Sequence, residues 1–102
     1  MTKLAFSPAA VRDLKEIGDY ISDKDNQLAA QRFVARIKAK CVAMGNHPLI
    51  YPSKNDLMEG ARMVAFDRYL IFFSVNDHEV RVERVLHSAR NLSTLFNSPK
   101  QP

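Results

Sequence analysis

The spacing of apolar residues changes period part-way along this chain, and that change restricts the fold more than any other feature. Val11, Leu14, Ile17 and Ile21 recur at intervals of three and four, as do Ala30, Phe33, Val34, Ile37, Cys41 and Met44. Such intervals gather apolar groups on one stripe of a helix. Further along, alternation takes over. In "YLIFFSV" Tyr69, Ile71, Phe73 and Val75 take one side, and Leu70 and Phe72 the other, which is the period of a strand.

Start and stop signals bound these elements. "KLAFS" (3–7) reads as a short strand. Ser7 is placed to cap a helix over 8–22, with Pro8 in the first turn, where its missing N–H is not needed. Asp25 or Asn26 offers the cap of a second helix over 27–44, closed by Gly45 and barred from continuing by Pro48. Helices joined by so short a link pack as an antiparallel hairpin. After a connection over 45–60, strands are expected at 61–66, 69–75 and 80–86, with turn chemistry in "DR" and "NDHE" between them. The expectation is an α+β domain ordered β-α-α-β-β-β, an N-terminal strand and an antiparallel helical hairpin packed on an antiparallel sheet. Residues 1–95 are expected to form the single domain, and residues 96–102, which end in the polar "NSPKQP", a loose tail. The apolar surplus of Leu70 and Phe72 requires the second sheet face to be covered as well, by C-terminal residues or by another chain.

Charge and composition exclude several classes of function. The 102 residues carry a formal charge of +4, which favours an acidic partner. Arg32, Arg36, Lys38, Lys40 and Lys54 fall in a stretch from Asn26 to Asn55 that has no acidic residue. That stretch is either a solvated helix face or a docking surface for acidic groups. The single cysteine, Cys41, lies on the apolar stripe and reads as a small core residue. Glycines at 18, 45 and 60 make no phosphate loop, and His47, His78 and His87 lack metal-ligand spacing, so neither cofactor nor metal is expected. His47 at a helix stop and His78 in a turn read as structural. With no signal-like start and no spanning apolar run, the expected location is the cytoplasm, away from membranes.

"VRVERVLHSARNL" (80–92) breaks its own pattern. Val80, Val82 and Leu86 share one strand parity, Arg84 interrupts it, and His87 and Arg90 follow. In one reading the Arg84 head group reaches a helix carboxylate such as Asp13 or Glu16. In the other, Arg84, His87, Arg90 and Arg62 form a basic cluster at the sheet rim that binds phosphate, with His87 as proton donor.

Three stretches taken together resemble a family. "LAFSPAAVRDLKEIGDYI" carries Ala10, Asp13, Leu14, Ile17, Tyr20 and Ile21; "GARMVAFDRYLIFFSV" carries Gly60, Arg62, Tyr69, Ile71 and Phe73; and Arg84 to Leu86 precede His87 and Arg90. In this order and spacing they resemble the bacterial ParE toxins of the ParE/RelE superfamily, over about residues 3–92. The resemblance implies the toxin of a type II toxin–antitoxin pair, of the kind associated with plasmid maintenance and growth arrest. A cognate antitoxin would hold it inactive and would supply any contact with DNA. ParE members are associated with blocking DNA gyrase, a non-enzymatic activity. RelE members instead cleave ribosome-bound mRNA, and fold alone does not choose between the two.

The nuclease alternative would draw on His87, Arg84, Arg62 and Lys54. It departs from the RelE pattern in having only Lys54 in the loop before the sheet, and Phe96 where a proton-transferring tyrosine would follow the last strand. A third alternative is a partner of an antitoxin that has lost its effect on growth. The target-binding candidates are Arg84, His87 and Arg90. The antitoxin-binding candidates are Arg32, Arg36, Lys38, Lys40, Leu70 and Phe72.

Overall fold

The computed structural model describes residues 3–89. Strand β1 (Lys3–Phe6) leads into helix α1 (Pro8–Lys24) and helix α2 (Gln27–Asn46). A short 3₁₀ helix (Pro48–Ile50) precedes strands β2 (Ala61–Phe66), β3 (Tyr69–Val75) and β4 (Glu79–His87). The α+β order is the expected one. The three later strands form an antiparallel meander, and β1 joins it parallel to β4, giving the order β1-β4-β3-β2.

Local chemistry accounts for the element ends. The Ser7 hydroxyl accepts from the Ala10 amide (2.9 Å) and Asn26 Oδ1 accepts from the Ala29 amide (2.8 Å), so each helix begins on a capping side chain. The helices run two residues further than the apolar stripes indicate. Gly45 does not end α2; the helix passes through it to Asn46 and is capped at His47. Gly45 packs against Leu4, whose Cδ1 lies 3.7 Å from where a Cβ would stand, so tertiary contact overrides the glycine stop signal. Pro48, which has no N–H to extend the ladder, opens the 3₁₀ turn instead. Between the strands, Asp67 takes a φ of 55°, a left-handed conformation that Asp tolerates, and Asn76 Oδ1 accepts from the amides of His78 and Glu79.

The core lies between the hairpin and one sheet face. Ala10, Leu14 and Ile17 of α1 and Ile37, Cys41 and Met44 of α2 meet Val64, Ile71, Phe73, Val80, Val82 and Val85. Each large side chain buried there contributes on the order of 1.5–3 kcal/mol. The identity of the last core residue corrects the sequence reading of β4. Pairing shifts by one residue between Phe72 and Phe73, where Arg84 and Val82 are the partners and Glu83 is the extra residue. This bulge reverses the parity of the rest of the strand. Val85 rather than Leu86 therefore joins Val80 and Val82 in the helix-side core, and Arg84 leaves the inward register.

Leu86 turns to the other face, where it is buried with Ala61 and Phe72. Phe72 is 0% exposed within this single chain, so the second apolar face is closed by the chain itself at that position. Leu70 is half-buried. As an antitoxin contact, then, Leu70 is accessible in part and Phe72 is not.

Cys41 is sealed in the core, and burial raises its thiol from 9.0 to about 11. A shift from 9.0 to about 11 lowers the thiolate fraction about a hundredfold at pH 8. Cys41 should therefore react with a disulfide reagent at least about a hundredfold more slowly in the native protein than in urea. Stopped-flow labelling at pH 8 measures this, and equal rates would mean that the core is open.

Candidate functional site

Strand β4 has two different neighbours along one edge. β1 covers Glu79 to Val82 and then ends. Beyond that point the start of α1 supplies the partners: the Ser7 amide donates to the Val82 carbonyl (2.9 Å) and its hydroxyl donates to the Glu83 carbonyl (2.7 Å). Asp13, 6% exposed, completes the cover. Its Oδ2 accepts from the Val85 amide at 2.9 Å and from Arg84 Nε at 2.8 Å, while Oδ1 accepts from Arg84 Nη2 at 3.0 Å. The two-pronged contact and the backbone bond occupy both carboxylate oxygens. Hydrogen bonding to Asp13 leads the causes that raise the Arg84 pKa, which keeps the guanidinium charged.

Arg84 thus has the helix-carboxylate partner that one sequence reading gave it. On the outer side of the bulge, Glu83 accepts from the Ser74 hydroxyl at 2.7 Å and lies 3.5 Å from Arg81.

His87 ends β4 level with Tyr69 and stands edge-on to that ring at 5.3 Å. Its Nδ1 accepts from the Ala89 amide at 3.1 Å, so the neutral ring carries its proton on Nε2. Around it opens a cleft of about 500 Å³ between α1 and the β3–β4 end, lined also by Glu16, Tyr20, Asp67 and Arg68. Sequence spacing gives none of these four a place in a site. Glu16 enters only as a second candidate partner of Arg84, Asp67 and Arg68 read as a turn, and Tyr20 enters only among the residues that carry the family resemblance.

Arg62 and Lys54 are not brought to this place. Arg62 pairs with Phe73, four residues and about 13 Å of strand from the level of Phe66, Tyr69 and His87. Its guanidinium donates to the Tyr51 carbonyl at 2.7 Å. Lys54 lies in the loop that folds along the start of β2, where its amide donates to the Ala61 carbonyl at 2.8 Å. The basic cluster of Arg84, His87 and Arg62 is therefore not assembled among the described residues, and Arg90 lies outside them. No group of three or more His, Cys, Asp or Glu that would hold a metal occurs among the described residues.

The α2 cations divide into two sets. Arg32, Arg36 and Lys40 recur every four residues on one side, and Arg36 stacks over Phe33 (5.7 Å) and Phe66 (5.3 Å). Lys38 points elsewhere and lines an apolar groove of about 740 Å³ between the helices, with Val11, Leu14, Ala30 and Val34. Gly18 lets the helices approach closely there, with Val34 Cγ2 at 3.6 Å from where its Cβ would be. Among the described residues no helix is long and apolar enough to cross a membrane.

Comparison with known proteins agrees with this geometry. Residues 4–92 match the profile of the family described as "ParE toxin of type II toxin-antitoxin system, parDE". The chain belongs to the ParE toxin family. Its fold is similar to a solved structure entitled "Chromosomal ParDE TA system from P. aeruginosa". The TM-score is 0.76 at 18% identity, covering 85% of this chain and 96% of the other. A looser likeness, TM-score 0.47 at 11% identity over 87% of this chain and 96% of the other, is to the H87Q mutant of YafQ from E. coli, too weak to carry an argument. No curated protein matches the sequence. In this ParE-family chain the first and last matched stretches, 76 residues apart at Ser7 and Glu83, meet at the edge of β4.

The Asp13–Arg84 contact should dominate the stability of that edge. Asp13→Ala leaves the Val85 amide and the guanidinium unpaired, and should destabilise the protein by about 3 kcal/mol. Arg84→Ala should also be clearly destabilising, because it leaves the buried Asp13 carboxylate with only the Val85 amide as a partner. In a urea-denaturation double-mutant cycle the two losses should be strongly non-additive; simple additivity would show that the pair is not coupled.

Proposed function

We propose that this ParE-family chain is the toxin of a type II pair that arrests growth by binding DNA gyrase, and that a cognate antitoxin neutralises it. Membership of the family over residues 4–92 is the observation that carries the reading. The geometry around His87 supports binding over catalysis. Cleaving RNA by 2′-hydroxyl attack requires a base, an acid and cations converging on one phosphate. Here Arg84 is occupied by Asp13, His87 Nδ1 is engaged by a backbone amide, and Arg62 and Lys54 lie at the far end of the sheet.

His87→Ala tests this. A general acid is worth roughly 10²–10⁴-fold in rate, so a nuclease would lose nearly all toxicity. A binding inhibitor loses one hydrogen-bonding ring, worth about 0.5–1.5 kcal/mol. The variant should remain at least partly toxic on induction, with soluble protein confirmed, and the parent should inhibit supercoiling by purified gyrase. A soluble but harmless variant, with the parent cutting mRNA on translating ribosomes, would show the RelE-like alternative to be correct.

For the antitoxin, the chemistry favours a segment of alternating apolar and acidic residues. Its apolar groups fit the groove between the helices, beside Lys38, and its acids fit the stripe of Arg32, Arg36 and Lys40. Leu70 adds a partly accessible apolar contact on the sheet. Any contact with DNA comes through the antitoxin. Reversing Arg32 and Arg36 to Glu should weaken antitoxin binding about tenfold at low salt and flatten its salt dependence. Titration calorimetry at two ionic strengths reads both, and unchanged affinity would remove the electrostatic contribution.

A further inference from the structure

The cleft beside His87 has a chemistry that the toxin reading does not use. Its walls are rings: Tyr20 from α1, Tyr69 from β3 and His87 from β4, with Phe33 of α2 packed 5.7 Å from Tyr69. Two carboxylates, Glu16 and Asp67, also line it. Asp13 is consumed by Arg84 and the Val85 amide, but Glu16 and Asp67 have no hydrogen bond or ion pair among the described residues. With Arg68 as the one Lys or Arg in the lining, and Glu16 also felt by the Arg84 guanidinium, the recess keeps an excess of carboxylate on a chain of net charge +4.

Rings edged by carboxylates attract a cation, and the molecule already uses the ring part of that arrangement twice. Arg36 lies over Phe33 and Phe66, and Lys24 Nζ lies 5.8 Å from the centre of the Tyr20 ring. We propose that the cleft is a recognition site for an arginine side chain on a partner polypeptide, with its guanidinium against Tyr20 and Tyr69 and its N–H groups donated to Glu16 and Asp67. Arginine suits it better than lysine, because a planar guanidinium stacks on rings and serves two carboxylates at once.

The remaining donors then have a use. His87 Nε2–H and the exposed Arg68 at the rim donate to carbonyls of the partner's backbone. The local potential agrees: the Tyr69 hydroxyl has its pKa raised, first by burial and then by Tyr20 and Asp67, so the phenol stays neutral in a negative setting. A nucleotide is a poorer fit, since its phosphate would face two carboxylates with Arg68 as the one free cation lining the cleft among the described residues. Arginine recognition here is independent of which target the toxin has.

N-acetyl-arginine amide titrated into the ¹⁵N-labelled full chain tests it. Saturable amide shifts should be confined to the neighbourhood of Glu16, Tyr20, Asp67, Tyr69 and His87, with N-acetyl-lysine amide binding more weakly. Glu16→Gln with Asp67→Asn should reduce the affinity about tenfold, and Tyr20→Ala, at an exposed position, should reduce it too; the same spectra report that each variant is folded. Shifts scattered over the surface, affinity unchanged in the folded variants, or saturable binding of guanosine monophosphate in place of arginine amide would each overturn the proposal.

Discussion

The carboxylate of Asp13 is the point on which the sheet and the helical hairpin depend together. β1 is only four residues long and leaves the second half of β4 with an uncovered edge. An unpaired amide at that edge, beside a packed core, would be destabilising by a few kcal/mol. Asp13 removes the problem by accepting from the Val85 amide, and it is itself made tolerable in a buried position by the Arg84 guanidinium. One side chain on the first helix thereby fixes where the last strand lies. Ser7 assists from the preceding turn, capping α1 with one lone pair and tying its own O–H to Glu83.

The bulge in β4 arises from the same constraint. Glu83 is the extra residue, and it sits where β1 hands the edge over to α1. Its carbonyl is held by Ser7 on one side and its carboxylate by Ser74 on the other, so the irregularity is tied down at both ends. The reversal of parity after it lets Val85 enter the core while Arg84 turns to Asp13. Arg84 therefore serves the architecture first. The basic character that suggests phosphate chemistry in the sequence is neutralised by an acid 71 residues away.

Removing Arg84 from the cleft changes the character of the surface near His87. The recess is aromatic and lined by Glu16 and Asp67 with Arg68 at its rim, whereas Arg32, Arg36 and Lys40 lie along α2 and Lys38 lines the groove between the helices. The two proposed sites thus have opposite preferences. One suits a cationic side chain, and the other suits an acidic and apolar segment.

Much of the architecture was legible from residues 3–87 alone. The helices declare themselves by intervals of three and four opened by the N-caps Ser7 and Asn26, and the strands by alternation, because these periods are set by backbone geometry within a few residues. Cys41 as a core residue was readable from the same stripe. Gly45 misled because its local preference, about 1 kcal/mol, is a weak signal that tertiary context overrides, and α2 runs past it beside Leu4. The bulge shows in the local pattern only as Arg84 interrupting the parity of β4, the surplus of Leu70 and Phe72 says that a second face is covered but not by what, and the acidic cleft leaves no mark. The bulge, the burial of Phe72 and the cleft arise from contacts between residues about 70 apart, or from strands and helices that become neighbours only on folding. Sequence determined which elements form and which side of each is apolar. Tertiary structure decided which charges are spent on holding the fold and which are left for a partner, since pairing depends on a few ångströms of separation that no local spacing encodes.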